Sequence, residues 1–385
     1  MKAWKTAFRG ICFVFIAVST SFGSTLNGGP GLLYTNSAWV QKPGHLTLKT
    51  HTRFFGKVKP NSAVTIWNVH GAFSLNYGVT DHLELDLSPV MYQDSHKGEG
   101  GKGYNLPDDI FMGLKLGSYR LFNNSLSYGA VLQARFPTAD NHNLVFEPYS
   151  APSVSWGLTG LMTYSQDPLY PEDNLNVHFN LGYFNYNDVG EKLSEDTDLD
   201  TIKVRSMTQE FQYRMGIKIP SAEFDFSLEL FGNAFLQKPP KETAYSLENY
   251  IYLTPGVTYN AARWISLIFA ADLRLSGDND ESLYYFDEKV GEMPNYPAWR
   301  INLGLKLHLL PTSVYKVSEK DVLIQKAESR RELFEQIIRE QRETESAEEE
   351  LERIKNERRK AERELERLRR ILEGESKSNE PQPED

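Results

Sequence analysis

Hydrophobic and polar residues alternate along much of this chain, and the alternation is strictest between Trp299 and Leu309. Every second residue of that stretch is Trp, Ile or Leu, whereas the residues between them are charged, polar or glycine. Because successive side chains of a strand point to opposite faces, the stretch predicts a strand with one apolar and one polar face. Its length of about 11 residues is what a tilted strand needs to cross a bilayer.

The same two-residue period recurs in earlier segments, and it predicts about twelve strands in total. The predicted strands begin near Leu46, Val64, His82, Ile110, Leu126, Val154, Leu175, Phe211, Phe224, Ile251, Ile265 and Trp299. Short connections, such as 78–81, alternate with long polar ones, such as 93–106, with exceptions of intermediate length at 165–174 and 56–61. Short turns at one rim and long loops at the other are typical of an outer-membrane barrel, and an even strand count places both termini on the periplasmic side.

These features predict an all-β transmembrane antiparallel barrel over residues 45–310. A strand edge left open in lipid would leave backbone groups without partners, so the last strand should pair with the first, near residues 46–54. Aromatic residues near strand ends would form the interfacial girdles: Tyr77, Tyr92, Tyr164, Trp264 and Trp299. A soluble all-β sheet would show the same alternation and is the alternative. Strand length and the alternating loops favour the membrane barrel.

The N-terminus is typical of a secretory signal peptide, predicted at residues 1–23. A basic start is followed by a short apolar run and small residues. The one cysteine, Cys12, lies inside that run, so the predicted mature chain has no thiol for disulfide or cysteine chemistry. Residues 24–44 contain Gly and Pro punctuation around short apolar pieces. They predict an N-terminal periplasmic or plug segment, which covers the mouth of the barrel or enters its lumen.

A long, highly charged periplasmic helix is predicted within residues 311–374. Ser318 with Asp321 predicts its start as a capping box, and glycine and proline are absent from Ser318 to Glu373. Gly374 predicts its end, and residues 375–385 predict a disordered tail. An apolar heptad seam is best developed in the distal half: Leu351, Ile354, Ala361, Leu365, Leu368 and Leu372. The seam predicts a coiled coil with another copy of the chain, a periplasmic protein or a cell-wall partner. A single solvated helix is the alternative.

The polar faces of the predicted strands carry charges of both signs and predict a lumen of mixed charge. The candidate lumen-lining residues are Lys49, Arg53, Glu84, Asp86, Lys115, Arg135, Glu210, Arg214, Asp225, Glu229, Asp272, Arg274, Arg300 and Lys306. They either set the selectivity of a channel or form an ion-pair network that fills a narrow barrel. About twelve strands lie between the filled small barrels and the open porins, so an open or gated path and a plugged barrel both fit.

An enzyme is not predicted, and neither is a cofactor or a metal site. His51, His70, His178 and His308 lie on different strands without a catalytic motif around them and are interpreted as inward polar residues. The sequence contains no phosphate-binding loop and no pair of residues at metal-ligand spacing. The net charge of −10, with the basic residues of the tail matched by acidic ones, excludes a nucleic-acid footprint. The predicted partner of the barrel is outer-membrane lipid.

Several short segments resemble bacterial outer-membrane β-barrel proteins of the small porin or transporter type. These segments are Gly31-Leu32-Leu33-Tyr34, Ser37-Ala38, Gly44-His45-Leu46 and Tyr77-Gly78-Val79-Thr80-Asp81-His82-Leu83-Glu84. In such proteins the Gly-(aliphatic)-Thr-Asp turn joins two strands. The resemblance covers residues 30–310 and implies a membrane fold without naming a substrate. The predicted helical tail lies outside it.

Two hypotheses of function follow. The first is an outer-membrane channel or transporter for small solutes, because polar residues face inward on most strands. The second is a structural envelope-tethering protein, in which the barrel anchors a periplasmic coiled coil. The inside–outside assignment further implies that arginine is harmful at Leu303, on the lipid face, and mild at Asn302, on the luminal face.

Overall fold

The structure of this chain is a computed structural model. It describes residues 29–58, 65–95, 109–122, 124–138, 142, 147–167, 170–193, 202–221, 223–241, 247–277, 296–311 and 319–378. The predicted signal peptide at 1–23 lies outside the described residues. The chain divides into two compact units, Met1–Lys316 and Val317–Asp385.

Within the described residues of the first unit, twelve antiparallel strands form a closed barrel, as the sequence predicts. The strands are β1 (Leu46–Val58), β2 (Thr65–Thr80), β3 (Leu83–Ser95), β4 (Asp109–Leu121), β5 (Leu126–Pro137), β6 (Ser155–Ser165), β7 (Asn176–Asn185), β8 (Gln209–Pro220), β9 (Phe224–Gln237), β10 (Tyr250–Ala262), β11 (Ile265–Arg274) and β12 (Trp299–Leu310). Each strand pairs with its neighbours in sequence, and a 3-10 helix at Pro171–Asp173 lies between β6 and β7.

The barrel closes where the sequence predicts, between the first and the last strand. β1 and β12 pair from Leu46 opposite Leu310 to Phe54 opposite Ile301. The rim that holds the start of β1 and the end of β12 also holds the short β2–β3, β4–β5 and β8–β9 connections, and we call it the short-turn rim. The opposite rim, where most of the longer connections lie, is the long-loop rim. Its β1–β2 connection, residues 59–64, is shorter than the β6–β7 connection, residues 166–175, at the short-turn rim.

The outer surface of the barrel is apolar because the alternation of side chains sends one class of residue to each face. Leu303 is 54% exposed, whereas its neighbour Asn302 is completely buried. Leu132, Leu158 and Phe269 are likewise about half exposed on the outside. Four of the predicted girdle residues are also exposed, namely Tyr77, Tyr164, Trp264 and Trp299. The side chain of the fifth, Tyr92, lies outside the described residues. This band has the composition of a surface that faces lipid.

The second unit contains a helix, α1, which spans Glu319–Ser378. The predicted stop at Gly374 is wrong, and residues 375–378 of the predicted disordered tail are helical, because one glycine costs a helix only about 1 kcal/mol. The helix begins at Glu319, directly after Ser318, where the sequence predicts its start. Residues 312–318 of the predicted helical segment 311–374 lie outside the described part. No helix in the described ranges is both long enough and apolar enough to span a membrane.

The contacts of Asn302 correct the expectation that arginine is mild at this position. Its amide donates to Asp272 Oδ1 at 2.8 Å, and its oxygen lies 3.0 Å from His51 Nε2 and accepts from the Tyr34 hydroxyl at 3.2 Å. A larger charged side chain would break these contacts in a space without room for it. The inward face at this level is packed protein rather than open water.

Leu303→Arg tests the outward assignment. A guanidinium near the middle of β12 should lower the free energy of unfolding by roughly 2–4 kcal/mol, because it faces hydrocarbon. Leu275→Arg, at an equally exposed site just beyond β11, should cost about 0–1 kcal/mol, as positions near the interface do. Denaturant unfolding from lipid vesicles measures both. Equal costs would show that Leu303 does not face the centre of a bilayer.

Candidate functional site

A buried N-terminal segment occupies the lumen. Residues Gly29–Gln41, which we call the plug, are all buried, whereas Lys42 is exposed. The sequence left two positions open for this region, across the mouth or inside the lumen, and the structure places the described part inside. Its contacts reach inward side chains of most strands. The preceding residues 24–28 lie outside the described part of the chain.

The plug is a hairpin whose two ends lie at one level of the barrel. Leu32 N donates to Thr35 O at 2.8 Å, and Ser37 N donates to Pro30 O at 2.9 Å. Gly31 has φ +147°, and a Cβ atom there would lie 2.4 Å from Thr35 O, so the turn requires glycine. Gln41 N donates to Glu84 Oε2 at 2.6 Å, and Glu84 Oε1 lies beside Gly29. The plug therefore enters and leaves near Glu84, which lies next to the short-turn rim.

Glu229 on β9 holds the tip of the plug. Its carboxylate accepts hydrogen bonds from the backbone amides of Leu33, Tyr34 and Thr35 at 2.8, 2.9 and 2.7 Å. It also accepts from the Thr35 hydroxyl at 2.8 Å. Hydrogen bonds to a charged acceptor contribute about 1.5–3 kcal/mol each, so this cluster is the strongest single attachment of the plug.

Tyr34 extends the tip toward β11 and β12. Its hydroxyl donates to Asp272 Oδ2 at 2.6 Å, its ring stacks on Phe231 at a centroid distance of 3.9 Å, and its carbonyl accepts from Arg214 at 3.0 Å. Burial raises the pKa of the Tyr34 phenol well above its ordinary value, and the neighbouring Asp272 carboxylate raises it further. The phenol therefore stays protonated and keeps its donor role.

The returning arm of the plug is held by uncharged side chains of the wall. Asn36 and Asn180 exchange two hydrogen bonds, at 2.7 and 2.8 Å. The remaining attachments are Ala38 N to Thr163 Oγ1 at 2.8 Å, Trp39 Nε1 to Ser127 Oγ at 3.0 Å and Val40 N to Ser118 Oγ at 3.0 Å. The side chains of Asn180, Thr163 and Ser118 satisfy backbone amides of the plug, as buried amides require. One backbone contact adds to them, from Ser118 N of β4 to Ala38 O at 2.7 Å.

Glycines in the wall allow the backbone of the plug to approach the strands closely. A Cβ atom at Gly117 would lie 2.3 Å from Ala38 O, and one at Gly78 would lie 2.5 Å from Gln41 O. Both distances are too short for any side chain, and the atoms they meet are backbone. The plug and the wall are therefore complementary at backbone level.

Two cavities lie on either side of the plug. The long-loop cavity, of about 220 Å³, is lined by Tyr34 of the plug together with residues such as Arg53, Tyr149 and Tyr250 near the long-loop rim. The short-turn cavity, of about 360 Å³, is lined by Trp39–Lys42 and by turn residues such as Asp81 and Asn124. The plug thus forms a wall of both cavities and stands between them.

The structure places the charged residues predicted for the lumen on the inside of the barrel. The buried ones are Lys49, Arg53, Glu84, Asp86, Lys115, Arg135, Glu210, Asp225, Glu229, Asp272, Arg300 and Lys306. Arg214 and Arg274 are half-buried, and Arg274 donates to Tyr296 O at 2.6 Å. They do not form one cluster: Glu84 and Lys115 lie by the ends of the plug, and Arg53 and Arg135 line the long-loop cavity.

Several of the inward charged residues form ion pairs. The interpretation of these residues as an ion-pair network predicts this in part. The pairs are Arg53–Glu147, Arg135–Asp109 at 2.8 Å, Lys218–Asp225 at 3.1 Å and Arg300–Asp272 at 2.9 Å. Sequence reasoning missed Glu147, because it belongs to a loop without periodicity that turns into the barrel. Burial alone would raise the pKa of the Glu147 carboxyl, but the adjacent Arg53 guanidinium brings it below its ordinary value, so Glu147 stays ionised.

The four histidines singled out in the sequence lie on separate strands. His51 contacts Asn302, His178 Nδ1 lies 2.9 Å from Thr163 Oγ1, and His70 lies 3.9 Å from Glu147. His308 is buried near the end of β12. Thr163 is already engaged by the plug, so its contact with His178 supports the wall of the lumen.

Comparisons with known proteins give structural likeness alone. No family model matches the chain, and no curated protein does. A NanC porin is similar over 69% of this chain and 100% of its own, with 10% identity and a TM-score of 0.44. An outer-membrane channel from Pseudomonas putida F1 is similar over 71% and 98%, with 13% identity and a TM-score of 0.45. The translocator domain of autotransporter NalP from Neisseria meningitidis gives 9% identity over 69% and 89%, with a TM-score of 0.33.

Glu229→Ala should loosen the plug, because it removes the acceptor of its strongest attachment. We expect Ala38→Cys, at a completely buried plug position, to react slowly with a maleimide in the full chain. Adding Glu229→Ala should accelerate that reaction at least about tenfold, the effect of 1.4 kcal/mol. Glu191→Ala, which removes an exposed glutamate, is the matched control and should leave the rate unchanged. Equally slow labelling in both variants would contradict the role of Glu229.

Proposed function

We propose that this protein is an outer-membrane channel or transporter for small solutes, and that the plug Gly29–Gln41 closes its path. The observation that carries the proposal is the position of the plug between two cavities, each partly lined by plug residues. Solute that reaches one cavity can pass to the other when the plug moves. The mixed charges of the wall would then contact the solute and set selectivity.

The apolar outer face supports a membrane location, because exposed leucine and phenylalanine side chains at this density are stable in lipid. The predicted signal peptide supports export and therefore the outer membrane. In this orientation the short-turn rim and both termini face the periplasm, as even-stranded bacterial barrels have them. The long-loop cavity would then face the cell exterior, and the short-turn cavity would face the periplasm.

A disulfide that fixes the plug to the wall tests the proposal that movement of the plug opens the path. A Cβ atom at Gly216 on β8 would lie 3.3 Å from Thr35 Cβ in the plug, close to the separation of about 3.5–4.5 Å found in disulfides. Cys12, in the predicted signal peptide, is the one native cysteine of the sequence. The double variant Thr35→Cys/Gly216→Cys therefore has a single available pair in the predicted mature chain.

We expect the oxidised double variant to lose the ion-conducting openings of the native protein in planar lipid bilayers. A reducing agent should restore them, and the single variants Thr35→Cys and Gly216→Cys should conduct in both redox states. Formation of the disulfide is checked by non-reducing gel migration. A locked variant that conducts like the native chain would show that the plug is not the gate.

A second candidate function is a structural one, in which the barrel anchors α1 as a periplasmic coiled coil. It is favoured by exposed apolar side chains on the predicted seam, with Leu351 at 53%, Ile354 at 62% and Leu365 at 66% exposure. Ala361 is exposed too, and the side chains of Leu368 and Leu372 lie outside the described part. Apolar residues at a and d positions lose this exposure when helices pair.

Cysteine cross-linking tests the pairing of α1 in the full chain. A homo-oligomeric coiled coil brings equivalent seam positions together, so Leu351→Cys and Leu365→Cys should form interchain disulfides under mild oxidation. Lys360→Cys, exposed on the same helix but outside the seam, should cross-link at least about tenfold less. Equal cross-linking at all three sites would contradict a homo-oligomeric seam and leave a periplasmic or cell-wall partner as the form of the tethering hypothesis.

A further inference from the structure

We propose that the long-loop cavity is a binding site for an uncharged, polyhydroxylated solute of monosaccharide size. The inference deepens the proposed function, on which it rests, by naming the class of solute. It depends on three properties of the cavity: its size, the pairing of its charges and the difference between its two walls.

Size limits the solute to a single ring. The cavity measures about 220 Å³. Pockets that hold drug-sized ligands measure roughly 300–1,000 Å³, so a disaccharide or a peptide would exceed the space. The plug residue Tyr34 forms part of the wall, and therefore the bound solute would touch the tip of the plug.

Charge pairing favours a neutral solute. Three of the guanidinium groups that line the cavity already face carboxylates: Arg53 pairs with Glu147, Arg135 with Asp109 and Arg300 with Asp272. The fourth, Arg214, donates to the Tyr34 carbonyl and to Gln212 Oε1. Glu210, a carboxylate of the same lining, accepts from the Tyr186 hydroxyl. A charged solute would have to compete with these contacts, whereas a hydroxyl group can bond beside them.

One wall carries buried polar atoms that need partners. On β1 the Nε atom of Arg53, and on β3 the Oγ atom of Ser88, are buried and have no hydrogen-bond partner among the described residues. The first is a donor and the second is both donor and acceptor. Because a solute hydroxyl can accept from one and either donate to or accept from the other, it satisfies both kinds of atom, which otherwise carry a desolvation cost.

The facing wall is aromatic. Phe184, Tyr186, Phe231 and Tyr250, from the region of β7 to β10, line the same cavity. The face of an aromatic ring carries partial negative charge, and the C–H groups on the face of a sugar ring carry partial positive charge. A ring with hydroxyl groups on its edge and C–H groups on its face therefore matches both walls.

Binding of D-glucose to the full chain in detergent micelles tests the proposal, with saturation-transfer NMR as the readout. We expect saturable binding of glucose, and binding at least about tenfold weaker for glucuronate and for glucosamine, whose charges meet the paired wall. Phenol serves as a probe for the aromatic wall alone. Absence of saturable glucose binding, or tighter binding of phenol or of either charged analogue, would overturn the proposal.

Variants locate the site. Ser88→Ala should weaken glucose binding at least about fivefold, the effect of one lost hydrogen bond. Phe184→Leu should weaken it as well, because the ring is lost while an apolar side chain remains. Ser74→Ala is the matched control: Ser74 is also buried with an unpartnered Oγ atom, but it does not line the cavity, and its replacement should leave binding unchanged. Equal effects of Ser88→Ala and Ser74→Ala would overturn the assignment.

Failure here is distinguishable from failure of the channel proposal, because binding in micelles does not depend on conduction. If the disulfide-locked variant stops conducting but glucose does not bind, the proposed class of solute alone is refuted. If glucose binds but the disulfide-locked variant still conducts, the proposal that the plug closes the path is refuted, whereas the proposed binding site stands.

Discussion

Every amide and carbonyl group that lies within the membrane region needs a partner inside the protein, and this constraint governs both layers of the molecule. In the wall, β1 and β12 pair and remove the last open edge. In the lumen, the plug forms no strand of the barrel, and one backbone hydrogen bond from the wall reaches it among the described residues, from Ser118 N of β4 to Ala38 O at 2.7 Å. Side chains such as Glu229 and Asn180 take the place of a strand partner. The inner face of the barrel therefore supplies the hydrogen-bond partners that a buried peptide segment needs.

The same solvation makes displacement of the plug possible. When the plug leaves, Glu229 exchanges amide donors for water, so each broken hydrogen bond costs its net contribution of about 1.5–3 kcal/mol rather than its full strength in an apolar medium. The ion pairs along the wall stay in place, because their partners, such as Arg300 and Asp272, both belong to the barrel. The interior can thus change its occupant while the wall keeps its own contacts.

The sequence predicts the barrel well because a two-residue period is a local signal. Leu303 and Asn302 show it clearly, since one of these adjacent residues faces outward and the other inward. Contacts inside the lumen lack such a signal. Glu229 and Glu84 are alike in sequence, and only the path of the plug shows that the first binds its tip. Gly78 belongs to a recognisable turn segment, yet its absent side chain makes room for Lys42 O. Glu147 turns inward from an irregular loop, where no period predicts a direction.

The hairpin form of the plug has a consequence for assembly. Both ends of the plug lie by Glu84, so the segment occupies the lumen without passing through it from rim to rim. The strands can therefore close into a ring first, and the described hairpin can enter the lumen afterwards from one side. Insertion and withdrawal are then the same motion in opposite directions, which allows one short segment to serve as the last step of folding and as a reversible stopper.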